Sequence, residues 1–390
     1  MSVARVLIFV FFVGGILASL HYYAWTRLVR EPALPSPWGG IAGATILALG
    51  LLLIVAMPAS FVLPRSVSAP IVWLAFVWMG LAFFLVVLLG TTDLARVVAT
   101  LARAVVNAQA MDPDRRLFLR RFIAAIVALA ALGIGIGGLS EGLGRVRVKR
   151  IKISLRRLRP GLVGYKIVQL SDVHVGPTIG RPFVEDMVAQ TNALEPDLIV
   201  ITGDLVDGTV SVLRDAVAPL AGLRAKHGVF FVTGNHEYYS GVDEWLAHLP
   251  SLGIRVLRNE RVIIGDGSDT FELAGVDDWS AGGRIHGHGP DLTRALEGRD
   301  RTRALILLAH QPKQIFEAAQ RDVDLQLSGH THGGQMFPFG WLVRLQQPYV
   351  GGFYLHEGTA IYVSRGTGYW GPPMRVGAPA EITHIELEMS

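Results

Sequence analysis

Hydrophobic positions fall into two regimes along this chain. Up to about residue 140 they form long runs, roughly Val6–Trp25, Ile41–Leu63, Ile71–Gly90 and Phe122–Gly138. A helix crossing a bilayer core needs about 20 apolar residues, so these runs predict four N-terminal transmembrane helices. The fourth is the shortest and is rich in Ala and Gly. Tyr22, Tyr23, Trp25, Trp38 and Trp73 fall near the ends of runs, where aromatic rings favour the headgroup level. From Leu94 to Ala110 the spacing becomes amphipathic, which predicts a helix along the membrane surface or packed between spans. After Arg159 the runs shorten to strand length and are separated by Gly, Asp, Asn and His. That texture predicts buried strands alternating with helices.

Composition sharpens the division. Charged residues make up 17% of the 390 residues, below the roughly 25% of soluble proteins. The formal charge is +6 over residues 1–140, +7 over 141–159 and −9 over 160–390. A membrane domain (1–140), a basic linker with a first strand (141–164) and an acidic domain (165–390) are the boundaries this implies. An acidic domain is a poor partner for nucleic acid, and none is expected; basic residues beside membrane spans suit lipid headgroups. There is no cysteine, which removes disulfides, thiolate metal sites and cysteine nucleophiles.

The loop arginines bear on orientation. Arg27 and Arg30 follow the first run, Arg65 alone follows the second, and six arginines from Arg96 to Arg121 follow the third. By the positive-inside rule the first and third loops are cytoplasmic, which puts the C-terminal domain outside. The basic segment Arg145–Arg159 argues for the opposite, cytoplasmic face. The string Arg115-Arg116-Leu117-Phe118-Leu119-Arg120 before the fourth run resembles an internal twin-arginine export signal. A multi-pass cell-membrane protein with an extracytoplasmic C-terminal domain is the favoured expectation.

Several short runs of the C-terminal domain end in residue types that hold metals. Lys166–Leu170 leads into Asp172 and His174; Leu198–Thr202 into Gly203-Asp204; Val229–Thr233 into Gly234-Asn235-His236-Glu237. Ala304–Ala309 leads into His310, and Leu325–Leu327 into His330 and His332. Loops converge at the carboxyl ends of strands, so ligands distant in sequence meet there. Carboxylate, imidazole and amide donors suit Zn, Fe, Mn or Ni. A carboxylate bridging two such cations builds a site for in-line displacement at phosphorus.

These five segments, in this order, resemble the calcineurin-like metallophosphoesterase superfamily, whose pattern is D-x-H, G-D, G-N-H-E, H and G-H-x-H. The resemblance runs from about Tyr165 to Glu388. Gly-Asp-Leu-Val-Asp at 203–207 and Gly-His-Thr-His-Gly-Gly-Gln at 329–335 resemble its bacterial membrane-associated branch. The resemblance implies an α+β protein, with a four-layer αββα sandwich after the membrane helices. It implies that Asp172, His174 and His332 hold one divalent ion, and that Asn235, His310 and His330 hold a second, with Asp204 between them. The ions are expected to be Mn, Zn or Fe. It further implies attack by a metal-bridging hydroxide, His236 as the catalytic group at the phosphoryl or leaving oxygen, and Glu237 orienting His236. Asp207 is a partner for a metal-bound histidine.

The substrate is less legible. Phe337–Tyr354 is an aromatic loop next to the His330/His332 turn, able to admit a lipid chain or meet the membrane surface. Ser364-Arg365-Gly366 and Arg375 offer cations for a phosphate, and Asp277 and Asp278 either line the site or form a turn. A phosphodiester or pyrophosphate of a lipid-linked substrate is the leading expectation, with membrane lipids as partners. A tethered phosphodiesterase acting on soluble nucleotide-type substrates is the alternative. A transporter with a regulatory hydrolase domain is a poorer fit, since the spans carry almost no charge.

Overall fold

A computed structural model describes residues 3–106 and 111–390, with the side chains of residues 3–10, Met57, Phe61 and Arg65 left aside. The chain divides into two compact units. One holds residues 1–140 together with Gly371–Met374; the other holds Glu141–Trp370 and Arg375–Ser390.

The first unit is helical: α1 (Val3–Trp25), α2 (Trp38–Val62), α3 (Arg65–Val105) and α4 (Pro113–Leu143). Among the described residues three helical segments are long and apolar enough to cross a membrane: Trp38–Ala56, Ser66–Val105 and Pro113–Leu143. The four-span expectation is therefore carried for three. The expected first span, Val6–Trp25, falls on α1, and the side chains of its opening residues lie outside the description. The amphipathic stretch, expected along the membrane surface or packed between spans, continues α3 without a break as far as Val105. No proline interrupts it there, and the hydroxyls of Thr91 and Thr92 donate back to the carbonyls of Val87 and Leu89. The remainder of that stretch, from residue 107, lies outside the described residues.

Polar groups of this unit are matched to one another. Trp78 Nε1 donates to His21 Nε2 at 2.9 Å. Tyr23 donates to Asp93 at 2.6 Å, Arg27 pairs with both Glu31 and Asp93, and Arg121 donates to the carbonyls of Pro32 and Ala33. Charged side chains beside hydrocarbon persist where they pair.

The second unit is built on two six-stranded mixed sheets. The first contains β1 (Arg147–Leu155), β2 (Lys166–Leu170), β3 (Leu198–Ile201), β4 (Val229–Phe231), β5 (Ile254–Val256) and β12 (Glu381–Met389), in the order β1-β12-β2-β3-β4-β5. The second contains β6 (Glu260–Asp266), β7 (Asp269–Gly275), β8 (Leu305–Leu308), β9 (Leu325–Ser328), β10 (Gly352–His356) and β11 (Thr359–Val363), in the order β10-β11-β9-β8-β7-β6. Strands β2 to β5 run parallel, as do β7, β8, β9 and β11.

The strand sequences explain the layers. Side chains alternate faces along a strand, and both faces of the central strands are apolar. Leu198, Val200, Phe230, Ile306 and Leu308 point into the core between the sheets. Their neighbours Ile199, Ile201, Val229 and Phe231 face helices α5 (Arg181–Asn192), α6 (Val210–Val217) and α8 (Val242–His248), through Val184, Met187, Leu213 and Trp245. Leu305 and Leu307 face α9 (Leu292–Ala295) and α10 (Ile315–Gln320) on the other side. The result is helix, sheet, sheet, helix. Two helices remain: α7 (Asn235–Tyr239) follows β4 directly, and α11 (Gly340–Val343) lies between β9 and β10. The parallel strands β2, β3, β4, β8 and β9 all deliver their carboxyl ends to the motif residues, and that edge carries the site.

Candidate metal centre

Five of the motif residues leave their strands through a sharply bent backbone. Asp172, His174, Asp204, His330 and His332 all adopt positive φ, between 51° and 73°. Non-glycine residues pay for that conformation, and it concentrates where geometry is imposed by function. Gly329 makes the closest approach. A Cβ there would overlap Ser171 Oγ and Asp172 Oδ2, so only glycine lets the β9 turn reach the β2 turn.

The turns bring the side chains into two adjoining groups. Asp172, His174 and His332 form one, and Asp204, His310 and His330 form the other; within each, one ligand atom per residue lies within 4.8 Å of the others. His174 Nε2 and His332 Nε2 are 3.0 Å apart, and His310 Nε2 and His330 Nδ1 are 3.2 Å apart. Two nitrogen lone pairs at that separation require a proton or a cation between them. Asp204 Oδ2 sits between the groups, 3.1 Å from His310 Nε2 and 3.9 Å from both His174 Nε2 and His236 Nε2.

The far side of each ring is fixed. His310 Nδ1 donates to the Thr202 carbonyl at 2.7 Å, and His174 Nδ1 donates to Asp207 at 3.1 Å. Both rings therefore turn Nε2 inward as an acceptor, the tautomer a metal ligand needs. Asp172 Oδ1 accepts from the His330 amide at 2.8 Å, and Asp204 Oδ1 accepts from the His236 amide at 2.8 Å.

Two oxygens are left over. Asp172 Oδ2 and Asn235 Oδ1 are buried with no hydrogen-bond partner. Orphaned buried acceptors are costly, and hard divalent cations satisfy oxygen donors of this kind. The donor set and these two oxygens fit divalent ions.

The electrostatics fit as well. Burial, together with Asp204, pushes the Asp172 carboxyl above its usual range. Asp204 is held well below it, because His310, His236 and His174 outweigh the effect of burial. Burial and the charge of His310 depress His330 to about 3. Burial alone would lower His236, yet Asp204, Asp207 and Glu237 raise it to about 9.

His236 lies at the rim of the centre. Its Nδ1 donates to Asp207 at 2.6 Å, and the same oxygen receives His174. Asp207 thus fixes a ligand ring and the His236 ring at once. The reading that Glu237 orients His236 is corrected. Its carboxylate instead accepts from the backbone amides of Gly234, Asp204, Leu205 and Val206 at 2.7 to 3.4 Å. Glu237 is fully buried on α7 and fastens the β4 turn to the β3 turn; it reaches His236 only through its charge.

Arg375 is also corrected. It is buried and donates to the carbonyls of Gly366, Gly368, His332 and Ala378, so it braces the His332 turn instead of offering a cation to substrate. Ser364 is buried and accepts the Gly366 amide. Asp277 pairs with Arg258 at 2.8 Å, and Asp278 accepts from Ser280 and Gln311; both hold turns. Two contacts had little sequence signal. The rings of Tyr239 and Trp370 stand 5.1 and 5.7 Å from that of His236, and both are about half exposed. Tyr239 lies three residues after His236 on α7, a helical spacing that hints at the contact; nothing local marks Trp370.

Comparison with known proteins agrees with this geometry. Residues 165–334 match the family described as calcineurin-like phosphoesterase. The chain is 44% identical to a bovine transmembrane protein with metallophosphoesterase domain, over 78% of this chain and 70% of that one. A zebrafish protein of the same description is 35% identical over 98% of this chain and 89% of its own. A metallophosphoesterase of Helicobacter pylori is 44% identical over 70% of this chain and 73% of its own.

Proposed function

This chain belongs to the calcineurin-like metallophosphoesterase family, and on that premise we propose that it hydrolyses a phosphodiester or pyrophosphate presented at the membrane. The supporting observation is the convergence of Asp172, His174 and His332 beside Asp204, His310 and His330, with Asp172 Oδ2 and Asn235 Oδ1 left for cations. Divalent ions bound there would supply Lewis acidity toward the phosphoryl group and a nucleophile from water at neutral pH.

The chain's own residues do the rest. Asp172, His174 and His332 would hold one ion, Asn235, His310 and His330 would hold the other, and Asp204 would be available to both. Asp207 keeps the His236 ring turned so that Nε2 faces the centre. So placed, His236 is the group that would donate a proton to the leaving oxygen. The half-exposed rings of Tyr239 and Trp370 stand beside His236. A lipid-linked ester is favoured over a soluble nucleotide, because helices of membrane-spanning length precede the catalytic unit.

The test uses the full-length chain in vesicles. Bis-p-nitrophenyl phosphate and a phospholipid phosphodiester are offered with manganese, with and without chelator. Metal-dependent release from either substrate is expected, and faster turnover of the lipid supports the lipid-linked reading. No hydrolysis of either by folded, metal-loaded protein would sink the proposal.

We further infer that the catalytic unit lies on the extracytoplasmic side, a reading supported by the arginines of the first and third loops and opposed by the basic segment 145–159. An alkaline phosphatase fusion at the C-terminus is expected to be active. A silent fusion beside an active cytoplasmic reporter would reverse the orientation.

A further inference from the structure

The segment after the His332 turn is built unlike the rest of its unit. Along residues 335–355 the side chains of Phe337, Trp341, Leu342, Leu345, Phe353 and Leu355 are all more than half exposed, Leu345 reaching 81%. Exposed apolar residues elsewhere in this unit are mostly scattered, and single ones are ordinary. Here they follow one another along one segment. Trp341 lies on α11 and Leu345 in the turn that follows it, the ring of Phe337 packs edge-on against Trp341 at 5.3 Å, and Phe353 and Leu355 share one face of the edge strand β10.

The charge pattern is equally uneven. The unit is acidic overall, yet from Gly329 to Leu355 the only charged side chain is Arg344. Aromatic and leucine side chains with a lone arginine are the composition that settles at a headgroup–acyl boundary. A soluble partner protein is less well matched, because the same chain carries helices long and apolar enough to span a bilayer, which keeps a lipid surface within reach of the tethered unit.

The segment is tied to the metal-binding turn. The Thr331 hydroxyl donates to the Val350 carbonyl, closing the loop at its far end. At the near end the Gln335 side chain bonds both ways with the backbone of Trp370, at 2.9 and 3.0 Å, and the Trp370 ring stands beside His236.

From these observations we infer that residues 337–345, with Phe353 and Leu355, dip into the bilayer surface and seat the metal-binding turn at the lipid headgroups. A phosphoester carried by an amphiphile then enters from the interface, its apolar part remaining among the loop side chains. This rests on the hydrolase reading for its substrate but not for the lipid contact.

The test exploits the absence of cysteine. Leu345→Cys gives a single attachment point for a polarity-sensitive probe, and Asp215→Cys, at a side chain 96% exposed, gives a control. The full chain is reconstituted in phosphatidylcholine and phosphatidylglycerol vesicles, with and without brominated acyl chains. Blue-shifted emission and bromine quenching are expected at position 345 and not at 215; equal behaviour at the two positions overturns the inference. A Phe337→Ser, Trp341→Ser variant is then expected to lose the quenching at position 345. Its rate on vesicle-borne phosphodiester, divided by its rate on bis-p-nitrophenyl phosphate, is expected to fall about tenfold or more, the scale set by burying apolar side chains of this size. An unaltered ratio with unaltered quenching also overturns the inference. Quenching at 345 without hydrolysis of any substrate sinks the hydrolase reading and supports the lipid contact; hydrolysis without quenching does the reverse.

Discussion

Replacing Asp204 by alanine is expected to lower metal-dependent hydrolysis by roughly 10³-fold or more, the scale on which losing a stabiliser of developing charge acts, and to leave at most one tightly held ion. The reason lies in where its oxygens point. Oδ1 accepts the His236 amide and holds the start of α7. Oδ2 faces His310 at 3.1 Å and His174 and His236 at 3.9 Å, so it is the one carboxylate oxygen common to both ligand groups. Without it, the four imidazoles of the ligand set would have only Asp172 among the proposed ligands to offset a pair of dications. Asp204→Asn separates charge from shape. It keeps an oxygen in place but removes the negative charge, and is expected to retain the fold while losing most of the activity. Metal content measured alongside hydrolysis distinguishes the outcomes. Two tightly bound ions and near-normal rates in Asp204→Ala would remove Asp204 from the centre of the account.

The second large effect concerns the pair formed by His236 and Asp207. His236→Ala is expected to lower kcat by about 10²- to 10⁴-fold, the usual worth of a positioned acid or base, with metal content unchanged, because His236 is not among the proposed ligands. Asp207→Asn is expected to do two things at once. The single oxygen that receives both Nδ1 groups, at 2.6 Å from His236 and 3.1 Å from His174, loses its charge. His236 then loses the carboxylate that orients it and helps raise its pKa to about 9. His174 loses the acceptor that turns Nε2 inward, and an outer partner of a ligand is typically worth about 10- to 100-fold in metal affinity. The signature is a fall in kcat together with weaker metal binding, where His236→Ala shows the first without the second. The double variant is expected to be far less than additive in kcat, since both changes act on one proton donor. Full additivity would mean that Asp207 acts on the reaction by another route.

The parts of this arrangement legible in the sequence are those written in local pattern. Apolar runs ending in Asp, Asn or His mark strand ends, and the order of the five motifs identifies the residues that the fold gathers. The buried strands are legible for the same reason: Leu198–Ile201 and Leu305–Leu308 are apolar on both faces, which suits an interior position, whereas the four-layer sandwich is implied by the family resemblance.

What escapes the sequence depends on partners far along the chain. Glu237 follows His236 directly, and the family resemblance implies that it orients that ring. A helix instead turns successive side chains about 100° apart, and the carboxylate points back to the amides of the β3 turn. Arg375 looked like a substrate cation because charge in an acidic domain suggests exposure; its five donors are in fact spent on carbonyls of two turns. Trp370 reaches His236 from more than 130 residues away, with no periodicity to announce it.

The most direct test of the central claim is a metal titration followed by both content and rate. The purified full-length chain is stripped with chelator, dialysed and titrated with manganese while bis-p-nitrophenyl phosphate hydrolysis is measured. The expected result is saturation at two ions per chain, with activity rising as the second site fills, since the shared carboxylate of Asp204 places both ions at one reaction centre. Full activity at one ion per chain, or folded protein that hydrolyses the ester with no metal bound, would contradict the two-ion account.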